Sequence, residues 1–356
     1  MEEFKNLLSK YMQREGLNGD RLAEELKVSR TTIHNWCTGQ VKKFRCEKLE
    51  KCAEVLHLSP EERREFLIAA GCLLENDAPL VPIVNIPILR PNQFFGRKKE
   101  LNRIFGRWRH RPLHNVAIIG PRRSGKTSLL HYLKNIHTVT QLRKGQRQDW
   151  LPTDTQFVFV DFQAAGMCEQ EPLLCYLLEE LNIPVPEPCN LAHFTKVMRR
   201  ELQQPTVILM DRIDVGLQSP QLDYQFWWAI RALVTNYTNG NLGLLVASPQ
   251  PPTEVMPTGG DNQPSPFLNI IAEIVKLGPL TENEARELLE HTPQPFAEAD
   301  VEWILKNSGR WPALLQILCD VRLRALDEGE QGDGWKNEGL ARIEPYQCEL
   351  RIQNEN

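Results

Sequence analysis

The sequence predicts a multidomain protein: an all-α N-terminal domain, an α/β domain with a parallel sheet and flanking helices, and a small helical lid domain. Three observations carry this. Up to residue 74 apolar positions recur at helical spacing (Phe4, Leu7, Leu8 and Tyr11, then Leu22, Ala23 and Leu26) with little strand character. Four short apolar runs then alternate with helical stretches, as a parallel sheet with crossover helices requires: Val116 to Ile119, Phe157 to Val160, Val207 to Met210 and Leu242 to Ala247. From Leu280 the chain returns to helix. Thr281 stands three residues before Glu284, a capping-box spacing, and a second helix runs from about Ala299 to Lys306.

The segments follow in order. Residues 1–74 form the helical module. Residues 78–93 set four prolines among β-branched residues, which blocks helix, so 75–93 reads as an extended Pro-rich linker. The α/β domain spans 94–277 and the lid 278–326. The acidic segment 327–356, with eight acids against three bases, is either a loop plus a docked end piece or a frayed tail.

Composition narrows the class. With 356 residues, 41% hydrophobic and 25% charged, the chain is neither collagen-like, rod-like nor disordered. It has no run of about 18 apolar residues, and MEEFKNLLSK lacks the cationic-then-apolar order of a secretory signal, so a cytoplasmic protein without a membrane partner is expected. Nine cysteines without a C-x-x-C pair are expected to be reduced and mostly buried, and the histidines show no zinc spacing. Net charge is −4 but uneven. Residues 97–147 hold 14 Lys/Arg against one acid, while the rest of the chain holds 28 basic and 45 acidic residues. Arg103, Arg107, Arg109, Arg111, Arg122, Arg123, Arg143, Lys144 and Arg147 are therefore candidates for a DNA-tracking strip, for solvated faces, or for contacts between subunits through the acidic C-terminal part. Trp227 and Trp228 are expected to anchor a helix in the core.

The strongest motif lies at the end of the first apolar run. Gly120-Pro121-Arg122-Arg123-Ser124-Gly125-Lys126-Thr127-Ser128 is G-x-x-x-x-G-K-T between a strand and a helix. The glycines let backbone N–H groups converge on phosphate oxygens. Lys126 reaches the β and γ phosphates, and the Thr127 hydroxyl is a ligand for Mg²⁺. ATP or ADP with Mg²⁺ is the expected cofactor. Asp211, after the run Val207 to Met210, supplies the carboxylate that organises the metal. The position after it, where many ATPases carry a Glu, is Arg212. Asp214 and Asp161 are the two candidates for orienting water, Ser248 for sensing the γ-phosphate, and turnover is expected to be slow.

Together with Phe94-Phe-Gly-Arg-Lys-Lys-Glu-Leu101, this loop and Asp211 resemble the STAND branch of AAA-related P-loop NTPases over roughly residues 90–325. The resemblance implies that Phe95, Gly96, Arg97 and Glu100 lie beside the nucleotide. It also relates Ser308-Gly-Arg-Trp-Pro-Ala-Leu-Leu-Gln316 to a lid segment with a Gly-Gly-x-Pro signature. Pro312 would then help cover the adenine, and Arg310, standing where the second glycine is usual, would bring a guanidinium near the phosphates.

Residues 21–39, with Leu22, Ala23 and Leu26 buried, a turn at 27–29 and a second helix packed through Ile33 and Trp36, resemble a Cro/C1-type helix-turn-helix that extends over about 3–71. That resemblance makes the helix from Arg30 the recognition helix. Arg30, Thr31 and Asn35 would face base edges, because Arg pairs with guanine and Asn with adenine. Lys42, Lys43 and Arg45 would meet phosphates. Residues 1–74 carry 13 bases against 12 acids, so a protein-docking role stays open. The reading is a DNA-binding regulatory ATPase, a nucleotide switch controlling homo-oligomer assembly and DNA engagement in transcription or defence signalling, with a possible protein effector. The alternatives are a DNA-loading ATPase of the transposition target-selection kind and a signalling scaffold.

Overall fold

A computed structural model describes residues 2–26, 28–38, 46–58, 60–70, 82–136, 154–251, 268–330 and 332–352. The chain divides into two compact units, Met1–Ala78 and Pro79–Asn356.

The first unit contains α1 (Glu2–Arg14), α2 (Gly19–Glu25), α3 (Arg30–Thr38), α4 (Cys46–Val55) and α5 (Pro60–Ala69). Its core joins Phe4, Leu8 and Tyr11 of α1 to Leu22, Ile33, Trp36, Leu49 and Phe66, all buried. Asn18 caps α2 by accepting from the Arg21 N–H, and the Ser29 hydroxyl accepts from the Thr32 N–H at 3.1 Å to open α3. Position 27, within the expected turn, lies outside the described residues.

The second unit is built on a five-stranded parallel sheet: β1 (Asn115–Ile119), β2 (Gln156–Asp161), β3 (Thr206–Asp211), β4 (Leu242–Ser248) and β5 (Ile271–Lys276), in the order β2-β3-β4-β1-β5. Alternate residues serve opposite faces. Ala117, Val158, Val160, Ile208, Met210, Leu244 and Val246 join one core, and Val116, Ile118, Phe157, Val207, Leu209, Leu245 and Ala247 the other. Helix α6 (Lys98–Trp108) and α7 (Lys126–Lys134) cover the second face. Helices α8 (Gln170–Glu180), α9 (Leu191–Glu201), α10 (Ile213–Gln218) and α11 (Tyr224–Ala232) cover the first.

β5 is absent from the sequence expectation because it has no apolar run. It is an edge strand whose Glu273 is held by Arg103 and Arg107 of α6, and these arginines keep that carboxyl below its usual range despite partial burial. Two members of the expected basic strip therefore bind the sheet's own edge. Arg111 donates to Asn241 at 2.6 Å, and Arg143, Lys144 and Arg147 lie outside the described residues. Trp227 is buried as expected, but Trp228 is 42% exposed, since one helical step of about 100° turns a neighbour to another face.

The lid comprises α12 (Glu282–Glu290), α13 (Glu298–Ser308) and α14 (Pro312–Asp327), and the acidic segment folds as a docked helix, α15 (Gly334–Ile352). Thr281 and Glu284 form the expected capping box. α15 lies on α14 through Arg342–Asp320 at 2.8 Å and Arg324–Glu338 at 2.7 Å, with Trp335 buried in the lid core. Among the described residues no helix is long and apolar enough to cross a membrane. Cys52, Cys189 and Cys319 are buried, and Cys37, Cys168 and Cys175 half-buried; all are free thiols.

Candidate functional site

The strand order sets β4 between β1 and β3, so the carboxyl ends of all three open on one crevice, where open α/β sheets bind ligands. A cavity of about 700 Å³ fills it. Its floor is Arg122, Arg123 and Gly125 to Ser128 of the loop, one wall is Asp211, Arg212, Asp214 and Ser248, and the other wall is Pro312, Ala313 and Gln316 of α14. Ile83 and residues 85–88 of the Pro-rich stretch line a further side of the cavity. Ile83 N–H donates to Gln316 Oε1 at 3.1 Å and Ile88 N–H to Ser128 Oγ at 3.0 Å, so these residues belong structurally to the site.

The loop has the backbone its motif requires. Gly125, at φ 93°, turns the chain into α7. A Cβ on Gly120 would stand 2.8 Å from Leu277 O and 3.0 Å from Ser124 Oγ. Lys126 Nζ donates to Gly120 O at 2.6 Å and Pro121 O at 2.9 Å, and burial pulls its pKa down to about 8. The Ser124 hydroxyl is buried without a hydrogen-bond partner, but Ser124 is not among the cavity walls.

Thr127 Oγ1 donates to Asp211 Oδ2 at 2.7 Å, and the Arg212 amide donates to Oδ1 at 3.0 Å. Burial raises the Asp211 carboxyl above its usual range against those two hydrogen bonds. The hydroxyl and carboxylate, 84 residues apart in sequence, form the hard-oxygen pair that suits Mg²⁺. Among the described residues no cluster of three His, Cys, Asp or Glu side chains forms a separate metal site.

The two carboxylates proposed from sequence for water orientation part company. Asp214 lines the cavity with a buried Oδ1 that has no hydrogen-bond partner. Asp161 does not line it, and its Oδ1 accepts from the Gln163 N–H at 2.9 Å. Ser248 lines the cavity, but its hydroxyl donates to Gln250 O.

Phe95, Gly96 and Arg97 are not among the cavity walls either. Phe95 packs in the lid core, and a Cβ on Gly96 would meet Leu280 and Glu284 at 3.0 Å. Arg97 is a buried bracket: its Nη2 donates to Ser124 O at 2.9 Å and Gly278 O at 2.6 Å, and its Nη1 to Glu100 Oε1 at 3.0 Å. It supports the loop from behind and ties it to the start of the lid. Arg310, too, lies off the cavity walls. Gly309 and Arg310 both have positive φ, 54° and 61°, a backbone that favours glycine at both places and costs about 1–2 kcal/mol at Arg310.

The sequence reading missed the strap 83–88 and Gln316, since nothing in a proline-rich stretch signals which helix it will cross. It also missed Tyr346, whose ring meets Arg123 with its guanidinium carbon 3.8 Å from the centroid. In the first unit Arg30 and Thr31 are exposed and Asn35 is partly exposed on α3, with Arg30 Nε 3.2 Å from Asp20 Oδ1. Lys42, Lys43 and Arg45 lie outside the described residues.

A family model described as a helix-turn-helix domain matches residues 6–66. In fold the chain is similar to a Walker-type ATPase of Pyrococcus abyssi, at 16% identity and a TM-score of 0.50, over 76% of this chain and 79% of that one. It is also similar to the ORC2 protein of Aeropyrum pernix in its ADPNP–ADP complexes, at 13% identity and a TM-score of 0.50, over 74% and 69%. No curated protein matches the sequence. The molecule thus joins an N-terminal helix-turn-helix domain to a parallel-sheet α/β domain of the P-loop ATPase fold with C-terminal helices.

Proposed function

We propose that this chain is a DNA-binding nucleotide switch: an ATP- or ADP-binding regulator whose nucleotide state governs self-assembly and whose helix-turn-helix engages DNA. The observation that carries the nucleotide half is the bond from Thr127 to Asp211 at the mouth of the loop. It sets a metal-binding pair beside a lysine whose present partners are two loop carbonyls.

The residues fit the ligand. Loop amides would take phosphate oxygens, Lys126 would exchange its carbonyl partners for phosphate, and Thr127 with Asp211 would hold Mg²⁺. The ion, when bound, neutralises charge on the phosphates and polarises the terminal phosphoryl group. Ile83, Ile88 and Pro312 offer apolar surface for a base. The Asp214 carboxylate, which lines the cavity, is the acceptor we assign to orienting water and taking its proton. Arg212, exposed at φ 54° where many ATPases carry a Glu, has no acceptor for that proton, so turnover is slow and the protein behaves as a switch. Exposed Arg30, Thr31 and Asn35 are the residues we assign to base edges.

Titration calorimetry with Mg-ATP and Mg-ADP tests the nucleotide half. Micromolar or tighter binding, lost by at least a hundredfold in Lys126→Ala, is expected; no heat from the wild-type chain overturns it. Failure of the full chain to bind any duplex DNA at low salt would turn the helix-turn-helix reading toward protein docking.

A further inference from the structure

The phosphate loop carries a residue that reaches the far end of the chain. Arg123 sits at φ 67° and is one of the residues that line the cavity. It donates from Nη1 to Asn85 Oδ1 of the strap at 3.2 Å and lies over the ring of Tyr346 on α15. Tyr346 itself is not among the cavity walls. The contact therefore joins the phosphate site to a helix outside it, through one guanidinium.

We propose that Tyr346 is a specificity-determining residue of the nucleotide site, setting the preference between di- and triphosphate by competing with the terminal phosphate for Arg123. This rests on the nucleotide reading above. An arginine face on an aromatic ring is held by the ring quadrupole, a weaker partner than a phosphate dianion, which binds the same guanidinium through charge-assisted hydrogen bonds. A triphosphate extending toward Arg123 draws the guanidinium off the ring, and a diphosphate leaves it there. Pro345, immediately before Tyr346, removes one helical N–H, and beyond Arg342 the described side-chain hydrogen bond to another element is Gln347 Nε2 to Asn307 O at 2.9 Å. Coupling is reciprocal, so whatever a triphosphate does to the Tyr346 contact, loss of that contact must do in reverse to triphosphate affinity.

The test is a double-mutant cycle on the full chain, read by calorimetry with Mg-ADP and with a Mg-bound non-hydrolysable ATP analogue. Tyr346→Leu is expected to shift the preference toward the analogue by about two- to thirtyfold, the range a partly desolvated cation–π contact represents. Tyr346→Phe, which keeps the ring, stays near wild type, and in an Arg123→Gln background Tyr346→Leu has no effect. Hydrogen exchange of residues 344–352 in the wild-type chain gives an arm free of variants, with faster exchange expected under the analogue than under ADP. An unchanged preference in Tyr346→Leu, an equal shift in the Arg123→Gln background, or identical exchange under both nucleotides overturns the proposal while nucleotide binding stands. A wild-type chain that binds neither nucleotide overturns both.

Discussion

Arg30 and Lys126 are both cations that we assign to meeting a nucleic acid or a nucleotide, yet the two units hold them in opposite ways. Arg30 stands 81% exposed at the start of α3, loosely paired with Asp20. Lys126 is sunk onto two carbonyls of its own loop, its pKa lowered by burial. A surface reader needs only a rigid helix to present its side chains, and the core behind α3 supplies it through Ile33 and Trp36. A phosphate cradle needs main-chain amides aimed inward, so backbone, second strand and lid must agree on one geometry. Substitutions in the two regions should therefore fail differently.

Gly120→Ala should have the largest effect. Its Cβ would press on Leu277 O, which cannot yield easily because Leu277 N–H is itself bonded to Ile119 O at 2.8 Å. A loss of about 2–3 kcal/mol in urea unfolding, with weakened nucleotide binding, is expected. Wild-type stability in this variant would mean that the loop is less closely built than described.

Arg30→Ala comes next and should leave stability within about 0.5 kcal/mol, since the side chain is exposed. DNA affinity should fall roughly tenfold or more for the preferred site, measured by fluorescence anisotropy. A drop in melting temperature without a change in affinity would break the contrast from the other side.

The smallest effect is the pH dependence of Lys126. Because its folded pKa is lowered to about 8 from the ordinary lysine value of 10.5, the unfolded chain binds more protons between those values, and stability rises as pH climbs from 8 toward 10.5. A bound phosphate favours the charged amine, so binding at pH 8 should take up protons and affinity should decline above it, by at most about tenfold per pH unit. Calorimetry in two buffers of different ionisation enthalpy reads the uptake directly, and identical heats would remove the buried-lysine account.

Much of this site could be read in one dimension. G-x-x-x-x-G-K-T following an apolar run signals a loop between a strand and a helix, and Asp211 closing another apolar run marks a carboxylate at a strand end. The helix-turn-helix was legible for the same reason, as Leu22, Ala23, Leu26, Ile33 and Trp36 keep a helical period across a short turn. β5 was not, because an edge strand holding Glu273 against two arginines has no apolar run to display. Nor was the fate of Phe95, Gly96 and Arg97, whose place behind the loop depends on Ser124, Gly278 and Glu284, residues 27 to 188 positions distant.

Sequence by itself determined the local conformations: which stretches become helix or strand, where the loop turns, and which residue types stand ready for phosphate or base. These follow from neighbours a few positions apart, within reach of a periodicity or a cap. Only the tertiary structure decided that Asp214 rather than Asp161 lines the cavity, that a proline-rich stretch lines it too, and that Tyr346 of the last helix touches Arg123 of the loop. Those outcomes hang on strand order and on helices docking across long separations, where packing of whole faces outweighs any signal carried by adjacent residues.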